Sequence, residues 1–115
     1  LKHLYNGGNK LVSSYAKCVF EEAEKGDAVS INILKRNIGE AARLIRVALS
    51  HFSNYETKIP VILGGGLTKQ ELLMEYLTDA LGDDMERCDI QILSVPPVQG
   101  ALELAKSLWR RVCNE

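Results

Sequence analysis

Three cysteines in 115 residues are too few and too scattered to specify a cross-linked framework. Cys18, Cys88 and Cys113 lie far apart, are odd in number and show no metal-type spacing. Neither a disulfide scaffold nor a zinc site is expected, and a reducing cytoplasm is the compartment that fits. A basic excess is also lacking, because 14 Lys plus Arg stand against 15 Asp plus Glu for a formal net charge of -1. Little in that balance would displace phosphate counterions, so nucleic acid is not an expected partner. Long apolar runs are missing too, and residues Leu1 to Lys10 carry no basic segment followed by an apolar core. Neither a membrane span nor a secretory signal is predicted.

What is present is the composition of an ordinary soluble globular protein, 46% hydrophobic and 25% charged. The length suits one domain. The chain starts at Leu1 without Met, as a piece of a longer protein would, although processing gives the same appearance. From Leu11, the positions Leu11, Val12, Tyr15, Ala16, Val19, Phe20 and Ala23 repeat as one helix face, predicting a helix that ends near Lys25. Gly26 can take the left-handed conformation beyond that end, and Asp27 can cap the next helix. After this joint, Ile31, Leu34, Ile38, Ala41, Ile45, Ala48 and Phe52 recur every three or four residues, the most regular helical stripe in the chain. Gly39 in its middle costs about 1 kcal/mol relative to Ala, and signals either a close neighbour or a tolerated weakness.

Ser53 to Lys58 reads as a polar turn, and Ile59-Pro-Val-Ile-Leu63 as a short buried strand that stops at three glycines. Pro60 is tolerable near a strand start. Leu72, Leu73, Tyr76, Leu77, Ala80 and Leu81 mark a third helix, closed by Gly82 and Asp83-Asp84. A second strand is expected from Ile90 to Val95, ended by Pro96-Pro97. A final helix face then comprises Val98, Ala101, Leu102, Ala105, Leu108, Trp109 and Val112. The order helix, helix, strand, helix, strand, helix contains a right-handed βαβ crossover and hence a parallel pair. Two parallel strands are not a stable sheet by themselves, so further strands from outside residues 1–115 or from another chain are expected, and the chain reads as a single partial domain.

The informative motif is Ile59-Pro-Val-Ile-Leu-Gly-Gly-Gly-Leu-Thr68, a strand delivering three glycines to a helix start near Thr68. Without Cβ atoms, Gly64, Gly65 and Gly66 can adopt positive φ and present N–H groups to a ligand at a strand's carboxyl end. A nucleotide is the natural candidate, and an unliganded tight turn is the plain alternative. The motif is neither GxGxxG nor a P-loop, because Lys69 follows Gly66 by three residues and no GK[ST] occurs.

This block, together with Ile90-Gln-Ile-Leu-Ser-Val-Pro-Pro-Val-Gln-Gly-Ala-Leu-Glu-Leu-Ala105 and Ala-Glu-Lys-Gly-Asp-Ala28, resembles the carboxy-terminal end of the BadF/BadG/BcrA/BcrD ATPase family, which includes N-acetylglucosamine kinases. The resemblance covers most of residues 11 to 109. It implies an α/β fold, the helix-rich carboxy-terminal part of a ribonuclease-H-like domain of the actin-like ATPase superfamily. It also implies that Gly64, Gly65, Gly66, Leu67 and Thr68 pack against the adenosine of ATP. Phosphate loops, magnesium-binding carboxylates and the aspartate base lie upstream in such enzymes, and no matching segment stands here. No catalytic or metal-binding residue is therefore assigned. The expected partners are ATP with magnesium and, through the rest of the protein, an amino sugar. Cys18 and Cys88 lack the cysteine motifs by which dehydratase activators of the family hold an iron–sulfur cluster, which favours the sugar-kinase branch.

Other residues receive plain readings. His3 and His51 lack ligand-spaced partners and read as surface or helix-flank residues. Tyr76 and Trp109 fall on apolar stripes and read as core. Asp83, Asp84, Glu86 and Asp89 read as a solvated acidic turn rather than a magnesium site. Arg110-Arg111 suits the carboxyl end of a helix. A homo-oligomer formed through an exposed sheet edge is a further candidate.

Overall fold

The computed structural model describes residues 14–52 and 57–114. His3, Leu11 and Val12 and residues 53–56 of the predicted turn lie outside them. The described residues form an α/β arrangement, mostly helical, with four helices and two parallel strands. The helices are α1 (14–24), α2 (Ala28–Leu49), α3 (Glu71–Leu81) and α4 (Pro97–Cys113), and the strands are β1 (Ile59–Leu63) and β2 (Cys88–Ile92).

The joint between α1 and α2 forms as its chemistry dictates. Gly26 has φ 92°, and the Asp27 carboxylate accepts from the Ser30 backbone N–H at 2.9 Å and from its hydroxyl at 2.7 Å. Those two bonds hold the Asp27 carboxyl below its ordinary value, the hydroxyl contributing most. The first turn of α2 thereby gains an acceptor for one of its orphan donors.

The core is built from Phe20 and Ala23 of α1, Leu34, Ile38 and Ala42 of α2, and Leu77 and Leu81 of α3. Leu63 of β1 and Ile90 of β2 pack against it. The i, i+4, i+8 spacing on α2 brings one stripe onto α3. A polar staple secures the far end of α2. Arg46 donates through Nε to Asp84 Oδ2 at 2.8 Å and through Nη2 to the Ala80 carbonyl. Arg87 reaches the Leu49 carbonyl at 3.3 Å. The acidic turn is thus a 3-10 helix, Gly82–Arg87, in which Asp84 is half-buried and paired rather than merely solvated. Nothing lies within 4 Å of a Cβ built on Gly39, so no neighbour requires that glycine.

β1 and β2 pair in parallel with Ile59 opposite Cys88 and Leu63 opposite Ile92. β2 therefore begins earlier than the predicted Ile90 to Val95, because pairing with β1 recruits Cys88 and Asp89. Cys88 is buried, and that burial pushes its thiol above the usual value, with the Asp84 carboxylate adding to the effect. The Leu63 carbonyl accepts from the Leu93 N–H at 2.7 Å, so the odd-numbered residues of β1 address β2. Pro60 and Ile62 then face the other edge, and Pro60 brings no donor to it.

Burial departs from the sequence pattern in several places, and Tyr15 of α1 and Ala41 and Ala48 of α2, expected on buried helix faces, are exposed. Phe52 lies beyond the end of α2 and is half-exposed. On α4 no residue is buried, and Trp109, expected in the core, is 69% exposed. The amphipathic stripe is present, but no described element covers it. Tyr76 is half-buried against the core, with the Lys35 ammonium 5.6 Å from its ring centroid.

Candidate functional site

The three glycines leave the carboxyl end of β1 and turn into a 3-10 helix, Gly66–Lys69, before α3 begins at Glu71. The helix start predicted near Thr68 is therefore divided, with a tight 3-10 turn first and the α-helix three residues later. Gly65 carries φ 114° and ψ 171°, a conformation open essentially to glycine alone. The Thr68 side chain locks the turn by donating from Oγ1 to the Gly65 carbonyl at 2.8 Å, and its N–H reaches the same oxygen at 3.4 Å.

Bare backbone is what this loop exposes. A Cβ built on Gly65 or Gly66 meets nothing within 4 Å, whereas one on Gly64 meets Leu93 Cδ2 at 3.4 Å. Two of the three glycines therefore border open space, and Gly64 sits against Leu93, the residue just after β2. A valine at Gly65 would act through backbone strain rather than by intruding on a neighbour. Gly66, with no positive φ, is the cleaner position at which to place a side chain in that space.

Beside the loop lies a cavity of about 320 Å³. One wall is α2, through Ile38, Ala41 and Ile45; the opposite wall is α3, through Leu73 and Leu77. The end of β1 and the residues Gly64, Leu67 and Thr68 complete it. Its size is at the lower end of the range of about 300–1,000 Å³ usual for small-molecule pockets. No charged side chain lines it. Among the described residues no acceptor meets the backbone N–H groups of Gly64, Gly65, Gly66 or Leu67. An apolar slot bordered by a few unclaimed donors suits a neutral, flat ring better than a phosphate.

Gly64, Leu67 and Thr68 thus line one cavity, Gly65 shapes the turn, and Gly66 faces open space. The α2 wall carried no recognisable signal, since Ala41 and Ile45 read only as helix-face residues. No group of three or more His, Cys, Asp or Glu side chains able to hold a metal occurs among the described residues. His51 is exposed at the end of α2, and Cys18, Cys88 and Cys113 are all free. Among the described residues no helix is long and apolar enough to cross a membrane. Comparison of the chain with protein-family models, with curated proteins and with solved structures gave no match in any of the three.

Proposed function

We propose that this chain is the adenosine-holding, carboxy-terminal segment of an ATP-dependent sugar kinase that phosphorylates N-acetylglucosamine or a related amino sugar. In this reading it belongs to a ribonuclease-H-like domain of the actin-like ATPase superfamily, and Gly64 to Thr68 cradle the nucleoside. The observation that carries the reading is the glycine loop at the tip of β1, bare on its open side and bordering an apolar cavity of nucleobase size. Magnesium and the transferred phosphate would be held by residues outside this chain, and the chain alone transfers no phosphate. Calorimetric titration with ATP tests the site. Saturable binding is expected, weakened at least about tenfold by Gly66→Val, which places a branched side chain where the nucleoside would lie. Unchanged affinity in a folded Gly66→Val protein would take the loop out of the site.

A second reading, a non-enzymatic self-associating module, is favoured by a different observation. α4 presents Val98, Leu102, Leu108, Trp109 and Val112 to solvent, and among the described residues no strand pairs with the Ile62 edge of β1. Light scattering distinguishes the two, because concentration-dependent dimers without nucleotide binding would support only the second. The reading as an ATPase activator of a radical dehydratase has no comparable observation behind it.

A further inference from the structure

We infer that α4 pairs with the α4 of a second copy, in antiparallel orientation, through its exposed apolar stripe. The inference rests on the self-association reading and names the surface and geometry that reading would use.

Val98, Ala105 and Val112 stand seven residues apart, and Ala101 and Leu108 follow the first two of them by three. These are the a and d positions of a heptad, the spacing at which two helices bury a shared seam. Leu102 and Trp109, each next to a d position, widen the seam on one side. None of these residues is buried, and Trp109 and Val112 are 69% and 68% exposed. No charged residue interrupts the seam, and Glu103 and Lys106 pair with each other within the helix at 3.2 Å.

Charge and side-chain size select a second copy and set its direction. Glu103 is the one acidic residue of α4, whereas Arg110 and Arg111 lie at its carboxyl end. A parallel pair would gather four arginines at one end. An antiparallel pair separates them, sets each Arg110-Arg111 beside the partner's amino-terminal half, and opposes the two helix dipoles. The small residues Ala101 and Ala105 precede the bulky Leu108, Trp109 and Val112. Antiparallel pairing lays the small residues of one helix against the bulky ones of the other, so the seam fills as a two-fold interface requires. Parallel pairing would crowd Trp109 on Trp109 and leave a gap at the alanines.

The 17 residues of α4 span about 26 Å. One helix pair of that length buries less than about 1,200 Å², the class of weak, reversible interfaces. Dilute protein is accordingly monomeric, with α4 bare.

The test is sedimentation velocity from about 1 µM to 1 mM, the affinity range of a small interface. A reversible dimer is expected, weakened at least about tenfold by Trp109→Ser. An unchanged unfolding midpoint in dilute solution shows that this variant keeps its fold. Nitroxide labels on Cys113 then report direction, in a Cys18→Ser background where the remaining Cys88 is buried. Antiparallel pairing holds the two Cys113 positions about 20–25 Å apart along the axis, whereas parallel pairing brings them to about 8–10 Å. A dimer indifferent to Trp109→Ser, or one with the short separation, overturns the inference and leaves self-association standing in another form. A monomer at every concentration overturns both the inference and the self-association reading beneath it.

Discussion

The two ends of this molecule use the same sequence device with opposite outcomes. α2 and α4 are both amphipathic helices with apolar positions every three or four residues. α2 buries Leu34, Ile38 and Ala42 against α3, is capped by Asp27 and is stapled at its far end through Arg46. α4 buries nothing, and six of its large apolar side chains are more than half exposed. Periodicity builds a face, and only a neighbour of matching shape turns that face into a core.

Four mutations and one kinetic measurement sharpen or break this contrast. The largest effect is expected at Leu77, 2% exposed at the centre of the core, where Leu77→Ala should cost about 2–5 kcal/mol in denaturant unfolding. A loss below 1 kcal/mol would show that the α2–α3 layer is not the stabilising unit. Next comes Asp27→Ala, read as a fall in melting temperature at neutral pH. The folded-state pKa of Asp27 is depressed, so its contribution is present above the ordinary carboxyl value and fades as pH falls through the lowered one. Mutant and wild type should therefore converge in strong acid, and a gap that persists there contradicts the cap. Arg46→Ala should remove about 0.5–1 kcal/mol, because its ion pair with Asp84 is partly exposed to solvent. Leu108→Ala on α4 should change stability by less than about 0.5 kcal/mol in a dilute monomer. A cost comparable to Leu77→Ala would mean that something covers α4 in solution. Amide hydrogen exchange gives the same contrast without mutation, with protection concentrated in α2 and α3 and weakest in α4.

Local chemistry was legible wherever one or two residues decide the conformation. Gly26-Asp27 announces a helix joint and forms one. Ile59 to Leu63, apolar and β-branched, announces a strand and forms one with the same limits. The glycines announce a turn at a strand tip, and Gly65 adopts the positive φ that only glycine accepts freely. What depends on distant partners was not legible. Trp109 and Phe52 carry the residue types of a core and lie in solvent, because burial is decided by what stands opposite. β2 begins at Cys88 rather than Ile90 because its limits are set by the register with β1, which Cys88 and Asp89 do not advertise. The α3 start moved from Thr68 to Glu71 because the Thr68 hydroxyl closes a 3-10 turn on Gly65 first. The candidate site divides in the same way. Its loop was visible in the sequence, whereas its α2 wall of Ile38, Ala41 and Ile45 required the packing of α2 onto α3.

Backbone amide resonances report most directly on whether the glycine loop holds a nucleoside. Titration of the isotopically labelled protein with ATP should shift the amides of Gly64, Gly65, Gly66 and Leu67 together, along one saturable curve shared with the Ala41 region of α2. Saturable shifts confined to other surfaces, or none at this loop at millimolar ATP, would contradict the account.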